Sequence, residues 1–161
     1  MAYTFISGAT GGIGKAFCKE TAMQGAEIFI TGRSEEKLVS LKEELLSLGA
    51  GAAEYFPCDL TDENSRKKML EFIDERGFKF DRIINVAGVD IQKGFLKYTE
   101  EKLLFQLRVN AEATTALTHA LLKRRAEGKT SVITIASMSG AKPMPYFALY
   151  SATKAMLINL F

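Results

Sequence analysis

Short runs of β-branched and aromatic residues alternate with helix-length amphipathic segments along the whole chain, and that alternation excludes most architectures at once. The runs are Tyr3-Thr4-Phe5-Ile6, Ile28-Phe29-Ile30-Thr31, Ala53-Glu54-Tyr55-Phe56, Arg82-Ile83-Ile84-Asn85-Val86 and Val132-Ile133-Thr134-Ile135. Several are nearly continuous in apolar residues, the pattern of strands covered on both faces. Between them, Leu38, Leu41, Leu45 and Leu48 recur at helical spacing behind Ser34 as N-cap, with Glu35 and Glu36 in the first turn. Met69, Phe72 and Ile73 mark a further helix starting near Thr61 or Asp62, and a longer one is predicted from Thr99 to about Arg125. Strands joined by helices of this length form parallel βαβ units, so an α/β chain is expected rather than a bundle or a sandwich.

The chain has 161 residues, enough for one domain with its own core, and shows no internal repeat, low-complexity tract or Pro/Gly linker. One domain over 1–161 is therefore expected. The net charge of +2 is too balanced to point to nucleic acid or a membrane surface. Cys18 and Cys58 have no second thiol or histidine near them in sequence, which argues against a disulfide scaffold or a zinc site and favours a reducing, cytoplasmic setting. No apolar run reaches the roughly 20 residues that cross a bilayer, and the N-terminus does not read as a signal peptide.

The first strand runs into Ser7-Gly8-Ala9-Thr10-Gly11-Gly12-Ile13-Gly14 and then a helix with Ala16, Phe17 and Met23. Glycines let the chain turn tightly and let backbone N–H groups approach a diphosphate, which the helix N-terminus also attracts. A purely structural turn would look similar; the place between a first strand and a first helix favours a nucleotide. After the second strand comes Thr31-Gly32-Arg33-Ser34, with a guanidinium where a NAD site usually has an acid for the ribose 2′-hydroxyl. Arg33 suits a 2′-phosphate and an adenine face, so NADP(H) is favoured over NAD(H), the plain alternative being an exposed loop arginine. Asp59, at the end of the third strand, either accepts from an adenine amino group or caps the next helix. Asn85-Val86-Ala87-Gly88 ends the fourth strand in residues that let a ligand come close. All these segments fall at the C-terminal ends of strands, where open α/β sheets bind ligands.

Tyr150 and Lys154 stand four apart at the start of the last helix, so they share a face. A phenol titrates near pH 10 and serves acid–base chemistry at neutral pH only if its anion is stabilised, which an ammonium next to it supplies. Ser137, closing the fifth strand, has a hydroxyl suited to a carbonyl oxygen.

With these residues in place, the chain resembles the short-chain dehydrogenase/reductase family. The likeness rests on Gly8, Gly12-Ile13-Gly14, Asp59, Asn85-Val86-Ala87-Gly88, Asn110, Ser137 and Tyr150-x-x-x-Lys154, in family order and spacing over residues 3–161. It implies a Rossmann-like doubly wound parallel sheet of strand order 3-2-1-4-5, lacking the last strands of the family fold. It also implies an NADP(H)-dependent oxidoreductase that reduces a carbonyl or oxidises the matching alcohol. Tyr150 would be the general acid, Lys154 would support it and bind the nicotinamide ribose, Ser137 would orient the carbonyl, and Asn110 would hold a water in the proton relay. Gly8, Thr10, Gly11, Gly12, Ile13, Gly14, Arg33, Ser34, Asp59, Leu60, Asn85, Ala87 and Gly88, with Tyr150 and Lys154, are the cofactor-binding candidates.

Two departures are mild: Ser7 stands where Thr is usual and Val86 where a second Asn is usual, which bears on how the fourth strand packs. The apolar stretch Pro143-Met144-Pro145-Tyr146-Phe147 suggests a hydrophobic carbonyl substrate, and the Tyr-Ser-Ala-Thr-Lys wording is similar to that of 3-ketoacyl and hydroxysteroid reductases. The family likeness further implies a homo-oligomer. His119 reads as structural, Lys123-Arg124-Arg125 as a solvated helix end, and the two cysteines as small packing residues. Family members continue well past the helix that ends this chain. The alternative expectation is therefore a non-catalytic, NADP-binding or structural fragment of a longer reductase.

Overall fold

A computed structural model of the chain describes residues 2–142 and 144–161. Pro143, the first residue of the apolar stretch singled out above, lies outside the described residues. The element order is β1 (Tyr3–Ser7), α1 (Gly12–Met23), β2 (Glu27–Gly32), α2 (Glu35–Ser47), β3 (Ala52–Pro57), α3 (Glu63–Glu75), β4 (Phe80–Asn85), α4 (Glu100–Leu107), α5 (Thr114–Leu122), β5 (Ser131–Thr134), α6 (Met138–Ala141) and α7 (Ala148–Leu160). The strands form one sheet of order β3-β2-β1-β4-β5, and every pair is parallel. The expected order is therefore the observed one.

Alternation along the strands divides the core in two. Phe5, Phe29, Phe80 and Ile83 face one side, against Met69 and Ile73 of α3 and Leu117 and Leu121 of α5. Ile6, Ile28, Ile30 and Ile84 face the other, against Cys18 and Ala22 of α1 and Leu38, Leu41 and Leu45 of α2. Successive side chains of a strand point to opposite faces, so a Phe-Ile or Ile-Phe-Ile run supplies both layers from one segment. The aromatic side is a lattice centred on Phe29, whose ring stacks on Phe5 at 5.9 Å and meets Phe80 at 6.0 Å and Phe78 at 5.6 Å edge-on.

Capping follows the sequence signals. The Ser34 hydroxyl accepts from Lys37 N at 3.4 Å, and the Thr99 hydroxyl accepts from Lys102 N at 3.4 Å. Asp62, not Thr61, caps α3, its Oδ1 accepting from Asn64 N at 2.9 Å. The long helix expected from Thr99 is present but not uniform: α4 passes into a π-helical segment, Arg108–Ala113, before α5. A π turn carries an extra residue and re-aims the side chains on it, a change to which hydrophobic spacing is blind. The Lys123-Arg124-Arg125 run does end this helix, and Arg124 also forks onto Asp74 of α3, with Nε–Oδ1 2.7 Å and Nη2–Oδ2 2.5 Å. His119 is exposed in the last turn of α5, a surface rather than a core residue. Cys18 and Cys58 are free and buried, and burial pushes the Cys18 thiol up to about 12. Among the described residues no helix is long and apolar enough to cross a membrane.

Register sets the level of the strand ends. Ser7 pairs with Thr31 and with Asn85, Thr31 with Phe56, and Asn85 with Thr134, so the C-terminal ends form one row across the sheet. Phe29→Ala, which empties the centre of the aromatic lattice, should cost about 3–5 kcal/mol of unfolding free energy. Urea titration checks this, and a loss near that of a surface substitution would contradict the assigned packing.

Candidate active site

Two strand ends and one helix start meet at the glycine turn. Gly8 has φ 64°, and a Cβ there would sit 2.8 Å from Ala87 N, so only glycine fits between β1 and β4. A Cβ at Gly14 would collide with the Gly8 carbonyl, which brings α1 directly onto the turn. The Ser7 hydroxyl accepts from Val86 N at 3.2 Å and Ala87 N at 3.3 Å, locking the ends of β1 and β4 together. Serine in place of the usual threonine keeps that hydroxyl. Gly11 caps α1 without a side-chain acceptor, so the first N–H groups of the helix remain available.

These elements border a cavity of about 380 Å³. The predicted Gly8, Thr10, Gly11, Gly12, Ile13, Gly14, Arg33, Asp59, Leu60, Ala87 and Gly88 all line it, and Phe105 and Val109 close it from the α4 side. Four predicted cofactor residues do not line it: Ser34, Asn85, Tyr150 and Lys154. Ser34 is occupied as the α2 cap. Asn85 is turned into the core, its Nδ2 donating to Thr118 Oγ1 at 2.9 Å and Thr134 Oγ1 at 3.1 Å. Of the two roles left open for Asp59, helix capping falls to Asp62. Asp59 Oδ1 instead accepts from Thr61 N at 2.9 Å and Thr61 Oγ1 at 2.7 Å. Those two bonds, with the guanidinium of Arg33 as a further cause, hold the Asp59 carboxyl below the usual carboxylate range.

A second group of side chains stands behind Gly88. Lys154 is 3% exposed, and its Nζ donates to Ile135 O at 2.6 Å. Burial lowers its pKa from the ordinary lysine value. The same Nζ lies 5.6 Å from the centroid of the Tyr150 ring, one turn back on α7. Asn110, in the π-helical segment, clamps the chain after β4: its Oδ1 accepts from Val89 N at 2.8 Å and its Nδ2 donates to Val89 O at 2.9 Å and Thr153 Oγ1 at 3.2 Å. A Cβ on Gly88 would stand 3.5 Å from both Asn110 Oδ1 and Lys154 Nζ, so Gly88 is where the cavity and these two polar heads touch. Ser137 caps α6, its Oγ accepting from Ser139 N at 3.2 Å and lying 2.9 Å from Ser139 Oγ.

Gln106 escaped the sequence reading. It is fully buried one turn before Asn110, and its Oε1 accepts from Ile91 N at 2.9 Å. Together the two amides hold residues 89–91 like rungs of a ladder. Amide side chains four apart on one helix face are the only signal in the sequence, and it is a weak one.

The comparisons with known proteins agree with this architecture. The profile of the short chain dehydrogenase family matches residues 2–161. The chain is 34% identical over 158 residues to "Uncharacterized oxidoreductase YvrD" of Bacillus subtilis (strain 168), across 96% of this chain and 58% of that protein. It is 31% identical to the "Very-long-chain 3-oxoacyl-CoA reductase" of Eremothecium gossypii, across 97% of this chain and 47% of that protein. A metagenomic short-chain oxidoreductase crystallised in complex with NADP superposes with a TM-score of 0.89 at 28% identity, across 99% of this chain and 72% of that one. The chain thus spans about half the length of the curated relatives it matches.

Because the Asp59 carboxyl is held low when folded, its contribution to stability is present above the ordinary carboxylate range and lost as pH falls through the lowered value. Asp59→Ala should therefore flatten the acid limb of a plot of Tm against pH. Calorimetry at a series of acid pH values tests this, and an unchanged limb would contradict it.

Proposed function

The chain belongs to the short chain dehydrogenase family, and on that premise we propose that it serves an NADP(H)-dependent oxidoreductase that reduces a carbonyl or oxidises the matching alcohol. One observation carries the reading: Gly88 lines the glycine-turn cavity and also abuts Asn110 and Lys154, so a nucleotide in the cavity and the Tyr150–Lys154 pair share a border. The cavity fits the cofactor chemically. Gly8, Gly11, Gly12 and Gly14 leave backbone and the α1 N-terminus open to a diphosphate, and Arg33 is exposed on the rim with no acid taking its place for a 2′-hydroxyl.

When bound, the nicotinamide supplies or takes the hydride at the carbonyl carbon. In the reducing direction Tyr150 donates its phenolic proton to the carbonyl oxygen, and in the reverse direction it takes that proton from the alcohol. Lys154 holds its charge close to the Tyr150 ring and favours the phenolate left behind. Ser137, on the loop that leads from β5 into α6, donates a hydrogen bond to the same oxygen. Asn110 keeps the Val89 backbone in place and would hold a water in the proton relay to Lys154. Met138, Met144 and Tyr146 are exposed between Ser137 and Tyr150, which supports an apolar substrate. The printed activity of the Eremothecium gossypii relative, very-long-chain 3-oxoacyl-CoA reduction, supports the same reading.

Tyr150→Phe should lower turnover of an accepted carbonyl by roughly 10²-fold or more, the scale of general acid catalysis, with NADPH affinity nearly unchanged. Steady-state kinetics beside NADPH fluorescence titration test the pair, and wild-type turnover in the variant would sink the assignment. Arg33→Ala should weaken NADPH binding by about 1.5–3 kcal/mol, as for a lost charge-assisted hydrogen bond, and NADH binding far less. Equal losses for the two cofactors would remove the 2′-phosphate role.

A further inference from the structure

We propose that Arg66 is a positioning residue that ties the Asp59–Thr61 turn of the cofactor cavity to the π-helical segment carrying Asn110. The proposal rests on the NADP(H) reading above and goes beyond it.

Arg66 occupies the core-facing stripe of α3 with Met69 and Ile73, and it is 7% exposed. An apolar side chain would serve packing alone at that place, and burying a guanidinium carries a desolvation cost that packing does not require. Its donors show what the charge achieves. Nη1 donates to the Leu60 carbonyl at 2.5 Å, and Nη2 donates to Glu112 Oε1 at 2.6 Å. Leu60 lines the cavity; Glu112 lies in the π-helical segment, two residues beyond Asn110. One rigid planar fork therefore holds both sides of the cavity wall, the turn after β3 and the helix opposite it.

The other hydrogen bonds of the turn among the described residues stay on its own side. Asp59 N donates to Ser65 Oγ at 3.1 Å, and Thr61 bonds back to Asp59. Among these bonds, those of Arg66 alone reach the helix that carries Asn110. A ligand that presses on Leu60 and Asp59 thus acts on the same guanidinium that orients Glu112. Occupation of the adenine end should order the π-helical segment before any nicotinamide is present, a coupling carried by a named contact rather than by proximity.

Adenosine 2′,5′-bisphosphate is the probe, since it carries the adenine and 2′-phosphate and no nicotinamide. Calorimetry measures its affinity, and amide hydrogen exchange measures protection of residues 108–114. In the wild type, binding should slow exchange across that segment by roughly fivefold or more, the lower edge of usual coupling between sites. Glu112→Ala, which removes the acceptor at a half-exposed side chain, should keep the fold and nearly all the affinity yet lose the protection. Arg66→Met should lose the protection and weaken binding roughly tenfold, the scale of a charge-assisted hydrogen bond. A role in packing alone would lower Tm and leave the exchange response intact. Should Arg66→Met not fold, Glu112→Ala decides the matter by itself. Binding without protection in the wild type, or full protection in Glu112→Ala, overturns the proposal. If the wild type does not bind the probe at all, the cofactor reading fails, and the proposal falls with it.

Discussion

The approach of backbone to backbone at the glycine turn governs the rest of the structure. Gly8 sits against the Ala87 main chain, and Gly14 sits against Gly8, at distances that leave no room for a side chain. That contact joins the end of β1, the end of β4 and the start of α1 into one unit. The Ser7 hydroxyl reinforces it by accepting from two successive N–H groups beyond β4. Any widening of this turn would move the helix N-terminus, the strand row and Gly88 together, because they are in direct contact.

The two-faced core lets that turn stay tight. Phenylalanines on one side of the sheet and isoleucines on the other fill the layers without demanding that the strands splay, and they bury both faces completely at the centre. The sheet register then delivers Ser7, Thr31, Phe56, Asn85 and Thr134 to one level. Loops leaving that level have only one place to go, the space above the strand ends. The glycine turn, Arg33, Asp59–Thr61 and Ala87–Gly88 converge there for this reason, whatever they go on to bind.

Polar groups beneath the cavity are held more firmly than their sequence context suggests. Lys154 is buried and bonded to a backbone carbonyl, Asn110 spends both ends of its amide on Val89, and Gln106 fixes Ile91. Lys154 and Asn110, with their partners made, have one low-energy arrangement each, whereas Gln106 holds Ile91 by its oxygen and leaves its buried Nε2 without a partner among the described residues. The candidate acid–base group, Tyr150, thereby has beside its ring an ammonium whose position is set by the core and not by solvent. The π-helical segment belongs to the same set, since it is where Asn110 turns toward the chain after β4.

The alternation of strands and helices, the helix starts at Ser34 and Thr99, and the glycines, Arg33 and Asp59 that line the cavity were legible in the amino-acid sequence. Each depends on neighbours within a few positions: a period of two or of near four, a hydroxyl before a helix, glycines in one turn. Asn85 and Ser34 show the limit, because both sit in the right segments yet spend their side chains on the core and on a cap. Arg66 shows it further. Nothing around it in sequence distinguishes a surface arginine from one bridging Leu60 and Glu112, which lies 46 positions away. Local pattern determines which element a residue joins and which face it takes. The partner that a long polar side chain finds is decided only when packing removes water and leaves one acceptor within reach.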